Sequence, residues 1–289
     1  MKKIKLYANA KINLFLDIDS IRDNGYHNIK SIMQSVSLYD VITLEYNEST
    51  DKKISIICNT LGIPTDSKNI AYKAADRLLE SGEVTITIEK NIPSPAGLAG
   101  GSADAAAVIY GLTKIASINK TQEEIIDIAA RIGADVPFCL VGGNKRISGI
   151  GEIMEDGENL VQNYVLVAIK GEGVSTPIAY SMLDEKYDYF KNYFGCEESA
   201  YNALKKDEGK LFNIFEEVIL PIRPDAAAIK EKMIAMGAKF SLMSGSGPSV
   251  FGIFDSMESM DIAKKALLDM GASVYSCSFA NKGIEEIAE

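Results

Sequence analysis

The segment NIPSPAGLAGGSADAAA (residues 91–107) decides how this chain is interpreted. It joins an alternating, strand-like run at residues 84–90 to an alanine-rich run of helical character. A flexible linker would be rich in Gly and Ser between polar flanks, whereas this segment leads straight into an apolar helix. The free amides of a helix N-terminus bind anions. The residues alone therefore leave two interpretations open, a phosphate-binding loop and a tightly packed strand-to-helix turn.

Within the loop, Gly97, Gly100 and Gly101 permit positive φ angles and close approach of the backbone. Ser102 is predicted to be the N-cap of a helix that begins near Ala103. The loop is not a Walker A motif, because no GK[ST] follows, and its glycine spacing does not fit the dinucleotide fingerprint G-x-G-x-x-G. The local chemistry permits a phosphate site without saying whose phosphate it would hold.

Composition sets the broad class of the protein. A length of 289 residues with 47% hydrophobic residues suits two domains, each with its own core. The net charge of −10 disfavours nucleic acid and anionic membranes as partners, and no uninterrupted apolar run is long enough to span a membrane. The four cysteines lie far apart without a CxxC pair, which is typical of reduced thiols. We therefore expect a cytoplasmic protein; the oligomeric state cannot be predicted.

The order of the elements suggests two units. Strand-like and helix-like segments alternate in the first half, including a helix at residues 121–133 with Thr121 and Glu124 in a capping-box spacing. The second half follows the order β, helices, β, β, α, β, the split βαβ arrangement of ferredoxin-like domains. We place the boundary in the polar stretch 149–163, giving domains at residues 1–155 and 156–289.

Three segments resemble the three motifs of the GHMP kinases, the superfamily of galactokinase, homoserine kinase and mevalonate kinase. They are AKINLFLDI (residues 10–18), PSPAGLAGGSADAA (93–106) and SLMSGSGPSVFGIF (241–254). RDNGYHNIKSIMQSV (22–36), GADVPFCL (133–140) and GVSTPIAY (173–180) are similar to the branch that acts on a cytidine diphosphate-linked methylerythritol. The resemblance implies an α+β, two-domain fold with an N-terminal domain like domain 2 of ribosomal protein S5 and a ferredoxin-like C-terminal domain. It also implies an ATP- and Mg²⁺-dependent kinase of this small molecule, acting on its 2-hydroxyl in non-mevalonate isoprenoid biosynthesis.

By the same resemblance, Asp135 is the general base that accepts the proton of the substrate hydroxyl, with Lys11 paired to it. An Asp in an ordinary post-helix turn and a Lys on the solvent face of an edge strand are the alternatives. Lys11, Asn13 and Phe15 are predicted to share one face of the strand. Asn13 is then a polar contact to the substrate.

Substrate recognition is assigned by resemblance to an aromatic group. His27, the single histidine, would hydrogen-bond the cytosine base while Tyr26 stacks on it, and Tyr180 matches a second stacking position. Either tyrosine could instead be a packing residue. The remaining substrate-binding candidates are Thr176, Gly245 and Gly247.

The resemblance places ATP on the first glycine loop. The predicted ATP-binding residues are Pro93, Ser94, Pro95, Ala96, Gly97, Leu98, Ala99, Gly100, Gly101, Ser102, Ala103 and Asn69. Asn69 has the alternative of an exposed polar residue at a helix start. Relatives often have Gly at positions 95 and 99 and Ser at position 103, so Ser102 remains as the candidate hydroxyl for Mg²⁺.

Two rival functions stay open. Another kinase of the superfamily, acting on mevalonate, phosphomevalonate or homoserine, would have no use for aromatic residues that bind a base. A nucleotide-binding regulator that had lost catalysis would not need both Lys11 and Asp135. A nucleic-acid-binding module is disfavoured by the net charge and the lack of a basic stripe.

Overall fold

Two long antiparallel strands, β1 (Lys2–Ile21) and β2 (His27–Asn47), form the middle of the larger sheet. The computed structural model describes residues 1–187 and 196–287. Both faces of these strands are buried along much of their length, so apolar residues follow one another instead of alternating. Register shifts between the two strands mark β-bulges, which bend and twist such long strands.

Shorter strands complete this sheet: Lys52–Cys58 (β3), Gly82–Glu89 (β4), Asn144–Ser148 (β5), Ile153–Asp156 (β6), Phe212–Asn213 (β8) and Ile284–Glu286 (β12). The strand order is β12-β1-β2-β4-β3. In addition, β5 pairs with β2, β6 pairs with β5, and β8 pairs with the end of β1. The strands β8 and β12 come from the second half of the chain but pair in the sheet of the first half. Strand pairing therefore does not mark a domain boundary, and the division at residues 155 and 156 stays a prediction.

Helices cover one face of the large sheet: α1 (Ile70–Leu78), α2 (Gly100–Ile115), α3 (Gln122–Ala130) and α4 (Val136–Val141). The alanine-rich α2 is buried on most sides, and Gly111 lets it approach β2, because a Cβ there would lie 2.4 Å from Leu44 Cδ1. The predicted capping box of Thr121 and Glu124 is confirmed at the start of α3. The helix ends at Ala130, earlier than the Gly133 stop that the sequence indicates.

The smaller sheet is antiparallel, in the order β11-β7-β10-β9, and confirms the ferredoxin-like arrangement. Its strands are Val165–Ile169 (β7), Phe240–Met243 (β9), Val250–Ile253 (β10) and Ser273–Cys277 (β11). The helices of this half are Thr176–Lys186 (α5), Glu197–Lys206 (α6), Glu216–Ile219 (α7), Pro224–Ala235 (α8) and Met257–Asp269 (α9), with a 3₁₀ turn at Leu220–Ile222.

The bulge after Asn13 overturns one prediction about β1. Asn13 and Phe15 pair with Met33 and Ile32, two successive residues of β2 whose side chains point to opposite faces. Phe15 is therefore turned away from Asn13 and is fully buried in the core. The extra residue of a bulge inverts the alternation beyond it, so Lys11 and Asn13 share a face and Phe15 does not.

All four cysteines are free thiols, with Cys139 and Cys277 buried, Cys58 half-buried and Cys196 exposed. Within residues 1–187 and 196–287, no helix combines the length and the apolar character needed to cross a membrane.

Candidate active site

A cavity of about 360 Å³ lies where the glycine loop before α2 meets the loop between β9 and β10. We call it the loop cavity. Lys11 and Asn13 of β1 and Asp135 before α4 also line it. A volume of this order is typical of small-molecule sites. The structure thus brings the three motifs of the sequence together around one space.

The first glycine loop enters α2 through a left-handed residue. Ala99 has φ 58° and ψ 30°, and the helix begins at Gly100 without a side-chain cap. The prediction of Ser102 as N-cap is therefore wrong, because the αL conformation of Ala99 turns the chain into the helix three residues earlier. Ser102 instead lies in the first turn of α2 and lines the loop cavity.

The two glycine loops pack directly on each other. Gly97 has φ 76°, and a Cβ there would lie 2.1 Å from the carbonyl oxygen of Ser244. The Ser244 hydroxyl donates to the Gly97 carbonyl at 3.0 Å. A Cβ on Gly245 would lie 3.3 Å from Lys11 Nζ. Glycine is needed at these points because the backbones and the lysine approach one another too closely for a side chain.

Lys11, Asn13 and Asp135 form the polar floor of the loop cavity. The Lys11 ammonium donates to Asn13 Oδ1 at 2.7 Å and lies 3.8 Å from Asp135 Oδ2. Lys11 and Asn13 are almost fully buried, whereas the Asp135 side chain is 32% exposed. The spacing to Asp135 is longer than a hydrogen bond, so the carboxylate keeps capacity to accept a proton from a ligand. Burial raises the pKa of the neighbouring Cys139 thiol, so this thiol stays protonated.

The N-terminus of α2 opens into the same cavity. Gly100, Gly101 and Ser102 line it from the first turn, so their backbone amides lie at the positive end of a 16-residue helix. This is the arrangement that binds phosphate groups in other proteins. Opposite the helix, the main-chain N–H of Lys11 donates to the Leu98 carbonyl at 3.1 Å and fixes the loop on β1.

A second cavity of about 680 Å³ adjoins the first and contains the predicted aromatic residues. We call it the aromatic cavity. Tyr26, His27 and Tyr180 line it, and the His27 ring stacks on Tyr180 with 4.4 Å between the ring centroids. His27 Nε2 lies 2.7 Å from Asp184 Oδ1. Burial, helped by the carboxylates of Asp135 and Asp184, raises the pKa of Tyr180 to about 12, so its hydroxyl stays neutral.

Most of the other predicted binding residues line one of the two cavities, and a few do not. Thr176 lines both cavities, and its hydroxyl lies 3.1 Å from that of Ser246. Leu98 and Ala103 are fully buried beside the loop cavity instead of facing it. Residues at cavity-lining positions are Pro93, Ser94, Pro95, Ala96, Gly97, Ala99, Gly100, Gly101, Ser102, Gly245 and Gly247.

Asn69 caps α1 instead of facing the loop cavity. Its Oδ1 accepts from the Ala71 amide at 2.9 Å, and its Nδ2 donates to the Pro64 carbonyl at 2.7 Å. It is 8% exposed, so it is not an exposed residue, and its neighbour Ile70 is the one that lines the cavity. A contact of Asn69 to adenine stays a prediction.

Several residues of the site escape sequence reasoning. Asp184 holds His27, and Ser31 receives a hydrogen bond from Asn13 Nδ2 at 2.9 Å. Asn213 Nδ2 donates to the carbonyls of Met243 and Gly245, at 2.7 and 2.9 Å, and so supports the second glycine loop. A single polar residue in a helix or strand produces no recognisable sequence motif. Ser31 could have been noticed only as a polar residue within the largely apolar run of β2.

Family models match both halves of the chain. The model described as GHMP kinases N terminal domain matches residues 69–143, and the one described as GHMP kinases C terminal matches residues 196–273. A 4-diphosphocytidyl-2-C-methyl-D-erythritol kinase of Alkaliphilus metalliredigens (strain QYMF) is 40% identical over 88% of this chain and 89% of its own length. The protein of the same name from Clostridium perfringens (strain ATCC 13124) is 42% identical over 88% of this chain and 90% of its own length.

Solved structures of kinases are similar to this chain in fold. A crystal structure of 4-(cytidine 5'-diphospho)-2C-methyl-D-erythritol kinase has a TM-score of 0.82 at 29% identity, covering 96% of this chain and 99% of that one. A homoserine kinase from Cytophaga hutchinsonii shares the fold, with a TM-score of 0.72 at 19% identity and coverage of 99% and 98%. Since the matches extend over both halves of the chain, the protein belongs to the GHMP kinase family, and within it to the group of the 4-diphosphocytidyl-2-C-methyl-D-erythritol kinases.

Proposed function

We propose that this GHMP kinase transfers the γ-phosphoryl group of ATP to the 2-hydroxyl of 4-(cytidine 5'-diphospho)-2-C-methyl-D-erythritol, in non-mevalonate isoprenoid biosynthesis. One observation supports it above the others: Asp135 lines both the loop cavity and the aromatic cavity. A carboxylate at the junction of a phosphate-binding loop and a base-binding cavity lies where the two substrates would meet.

Asp135 acts as the general base. Its carboxylate accepts the proton of the 2-hydroxyl as the oxygen attacks the γ-phosphorus, and the bond from phosphorus to the β,γ-bridging oxygen breaks. The carboxylate retains acceptor capacity because Lys11 stands 3.8 Å away. Direct in-line transfer of this kind needs no covalent phosphoenzyme.

Lys11 orients the hydroxyl and neutralises charge on the transferring group. Its ammonium is fixed by Asn13 Oδ1 at 2.7 Å and is almost excluded from water, so its field in the cavity is weakly screened. Asn13, which Ser31 fixes in turn, offers a further polar contact to the substrate.

ATP occupies the loop cavity, with its phosphates on the amides at the start of α2. Mg²⁺, when bound, neutralises the β- and γ-phosphates. Ser102 lines both cavities, and its hydroxyl oxygen fits an ion that takes one or two protein ligands together with phosphates and water. Ser102 is the proposed hydroxyl, since position 103 is Ala and fully buried.

The aromatic cavity receives the cytosine base. Tyr26 is 59% exposed and free to stack on a ligand, and Tyr180 offers a rigid, neutral ring that packs against Phe215 with 5.0 Å between centroids. His27 contributes a polar ring held by Asp184. For the methylerythritol we propose contacts with Thr176, which lines both cavities, and with Gly245 and Gly247, which line the loop cavity. A mevalonate, phosphomevalonate or homoserine kinase would have no base to place there.

We also propose that the enzyme acts in the cytoplasm without a nucleic-acid or membrane partner. The acidic surface, with a net charge of −10, repels nucleic acids and anionic membranes, and the free thiols suit the reducing cytoplasm.

Single-turnover phosphoryl transfer from Mg·ATP tests this function directly. The cytidylylated methylerythritol, mevalonate and homoserine would be compared at equal concentrations with enzyme in excess. Transfer confined to the cytidylyl substrate is expected. Transfer to mevalonate or homoserine instead would overturn the substrate assignment, and ATP binding without transfer to any alcohol would favour a regulator that lacks catalysis.

A further inference from the structure

Three ionisable side chains are buried together beneath the first glycine loop, outside both cavities. The Lys90 ammonium lies between Asp40 and Asp104, donating to Asp40 Oδ2 and to Asp104 Oδ2, the latter at 2.8 Å. The exposed fractions of these side chains are 5% for Lys90, 0% for Asp40 and 4% for Asp104. Burying charges has a high desolvation cost, and a buried ion pair is weak evidence for a role in stability. We call this cluster the buried triad.

Asp40 fixes the start of the glycine loop. Its Oδ1 accepts hydrogen bonds from the backbone amides of Asn91 and Ile92, at 2.6 and 2.8 Å. Asp40 belongs to β2, in the middle of the large sheet. Two hydrogen bonds from the backbone amides to one buried carboxylate therefore anchor the loop to a rigid strand at the point where it leaves β4.

Asp104 lies at the opposite end of the loop, one turn into α2. The helix start is in contact with the same lysine, because a Cβ on Gly100 would lie 3.2 Å from Lys90 Nζ. Lys90 thus joins the residues that begin the loop to the helix that ends it. The amides that face the loop cavity come from the first turn of this helix.

Asp104 is only half satisfied, which argues against a purely stabilising role. Its Oδ1 is buried and has no hydrogen-bond partner among the described residues. Burial also raises the pKa of the Asp104 carboxyl well above its usual range, although Lys90 acts in the opposite direction. An orphaned buried oxygen lowers stability, so a side chain selected for stability alone would not leave one.

We propose that Asp40, Lys90 and Asp104 are positioning residues that set the geometry of the nucleotide loop by joining its two ends through the Lys90 ammonium. The inference rests on the proposed function in one respect, that the loop holds the phosphates of ATP. A loop fixed before binding loses little conformational entropy when the nucleotide arrives. Breaking the link at Asp104 should weaken ATP binding while leaving the acceptor site intact.

The test is Asp104→Ala in the full chain, with KM for ATP, KM for the acceptor, kcat and the thermal midpoint measured side by side. The KM for ATP is expected to rise about tenfold, with the acceptor KM and kcat within about twofold, because one hydrogen bond to a charged group is lost. The thermal midpoint is expected to fall, because Asp104→Ala removes one carboxylate partner of the buried Lys90 ammonium. A lower midpoint with unchanged KM for ATP would show a structural role and overturn the proposal.

Asp104→Asn provides the rescue, because its carbonyl oxygen can still accept from Lys90 while the carboxyl charge is absent. It should recover most of the wild-type KM for ATP, and a tenfold loss equal to that of Asp104→Ala would contradict the link through Lys90. Lys205→Met, which breaks the exposed Lys205–Glu158 pair at 2.7 Å, is the matched control and should change none of these quantities. Should Asp104→Ala not fold, Asp104→Leu repeats the test without leaving a cavity.

Titration with a non-hydrolysable ATP analogue separates this inference from the proposed function. If wild-type protein binds the analogue but phosphorylates no acceptor, the proposed function fails. Weaker analogue binding by Asp104→Ala would then still support the positioning role, and equal binding would overturn it.

Discussion

At the scale of single residues, Lys11 is the most informative side chain of the protein. A lysine is almost never fully buried unless it is paired, and Lys11 is 4% exposed. Its partners Asn13 and Asp135 come from β1 and from the turn before α4. The pairing joins residues 124 positions apart in the sequence, at the floor of the loop cavity. A buried cation is costly unless it is paired, and Asn13 and Asp135 supply the partners of Lys11.

The substitution Tyr26→Leu tests whether the aromatic cavity binds the cytosine base. Loss of the stacking surface should raise KM for the cytidylyl substrate by roughly tenfold to a hundredfold, since a stacked base contributes about 1–3 kcal/mol. The KM for ATP should stay within about twofold, because Tyr26 lines the aromatic cavity and not the loop cavity. Steady-state kinetics with each substrate varied in turn is the measurement.

Tyr275→Leu, at a partly buried position on β11, is the matched control for Tyr26→Leu. It should leave both KM values unchanged. If Tyr26→Leu raises both KM values equally, or neither, the base does not stack on this ring.

Site residues could be identified from sequence only where they belong to a motif. Lys11 and Asp135 follow from the resemblance, and the structure places them 3.8 Å apart. Asp184 and Asn213 could not be found, because one carboxylate or one amide in a helix or a short strand has no distinctive pattern. Their importance arises from what folding places beside them, His27 and the backbone of the second glycine loop.

At the scale of elements, the conformation of the first glycine loop can be tested by a pair of substitutions. Ala99→Gly should raise the free energy of unfolding by up to about 1 kcal/mol, because a left-handed Ala costs about 1–2 kcal/mol and glycine recovers part of this. Gly97→Ala should lower it by more than about 2 kcal/mol, since the new Cβ would lie 2.1 Å from the Ser244 carbonyl oxygen. Urea unfolding measures both changes.

Gly62→Ala is the control for these substitutions. Gly62 has φ 86°, but nothing lies within 4 Å of an added Cβ, so only the backbone strain of about 1–2 kcal/mol is expected. A cost for Gly97→Ala no larger than that for Gly62→Ala would contradict the close packing of the two glycine loops.

The sequence predicted most elements and erred where local geometry breaks the pattern. The alternating run before the loop and the alanine-rich run after it are β4 and α2. The start of α2 was misplaced because Ala99 adopts a left-handed conformation that glycine usually occupies. The face of Phe15 was misassigned because a bulge leaves no mark in the order of apolar and polar residues.

At the scale of the whole molecule, the two halves share one sheet. Both β8 and β12 pair with β1, although they come from the second half of the chain. Strands of two and three residues have no periodicity to detect, so the sequence could not predict them. The ferredoxin-like order of the second half was predictable because its strands and helices are longer and regularly patterned.

This sharing predicts that residues 1–155 do not fold alone. The fragment lacks β8 and β12, so both partners of β1 on its outer edge are missing. The core also lacks the buried side chains of Ile284 and Phe215. We expect the fragment to show no cooperative thermal transition, whereas the full chain shows one. Circular dichroism during heating is the measurement, and a cooperative transition of the fragment would contradict the expectation.

The proposed role of Asp135 as the base at the junction of the two cavities can be measured by single-turnover transfer from Mg·ATP with Asp135→Asn. We expect a rate of transfer to the cytidylyl substrate that is lower by about 10²–10⁴-fold, with binding of both substrates retained. Asp261→Asn, at an exposed position on α9, should transfer at the wild-type rate. A rate for Asp135→Asn within about threefold of wild type would show that Asp135 is not the base, because a lost general base costs at least about a hundredfold.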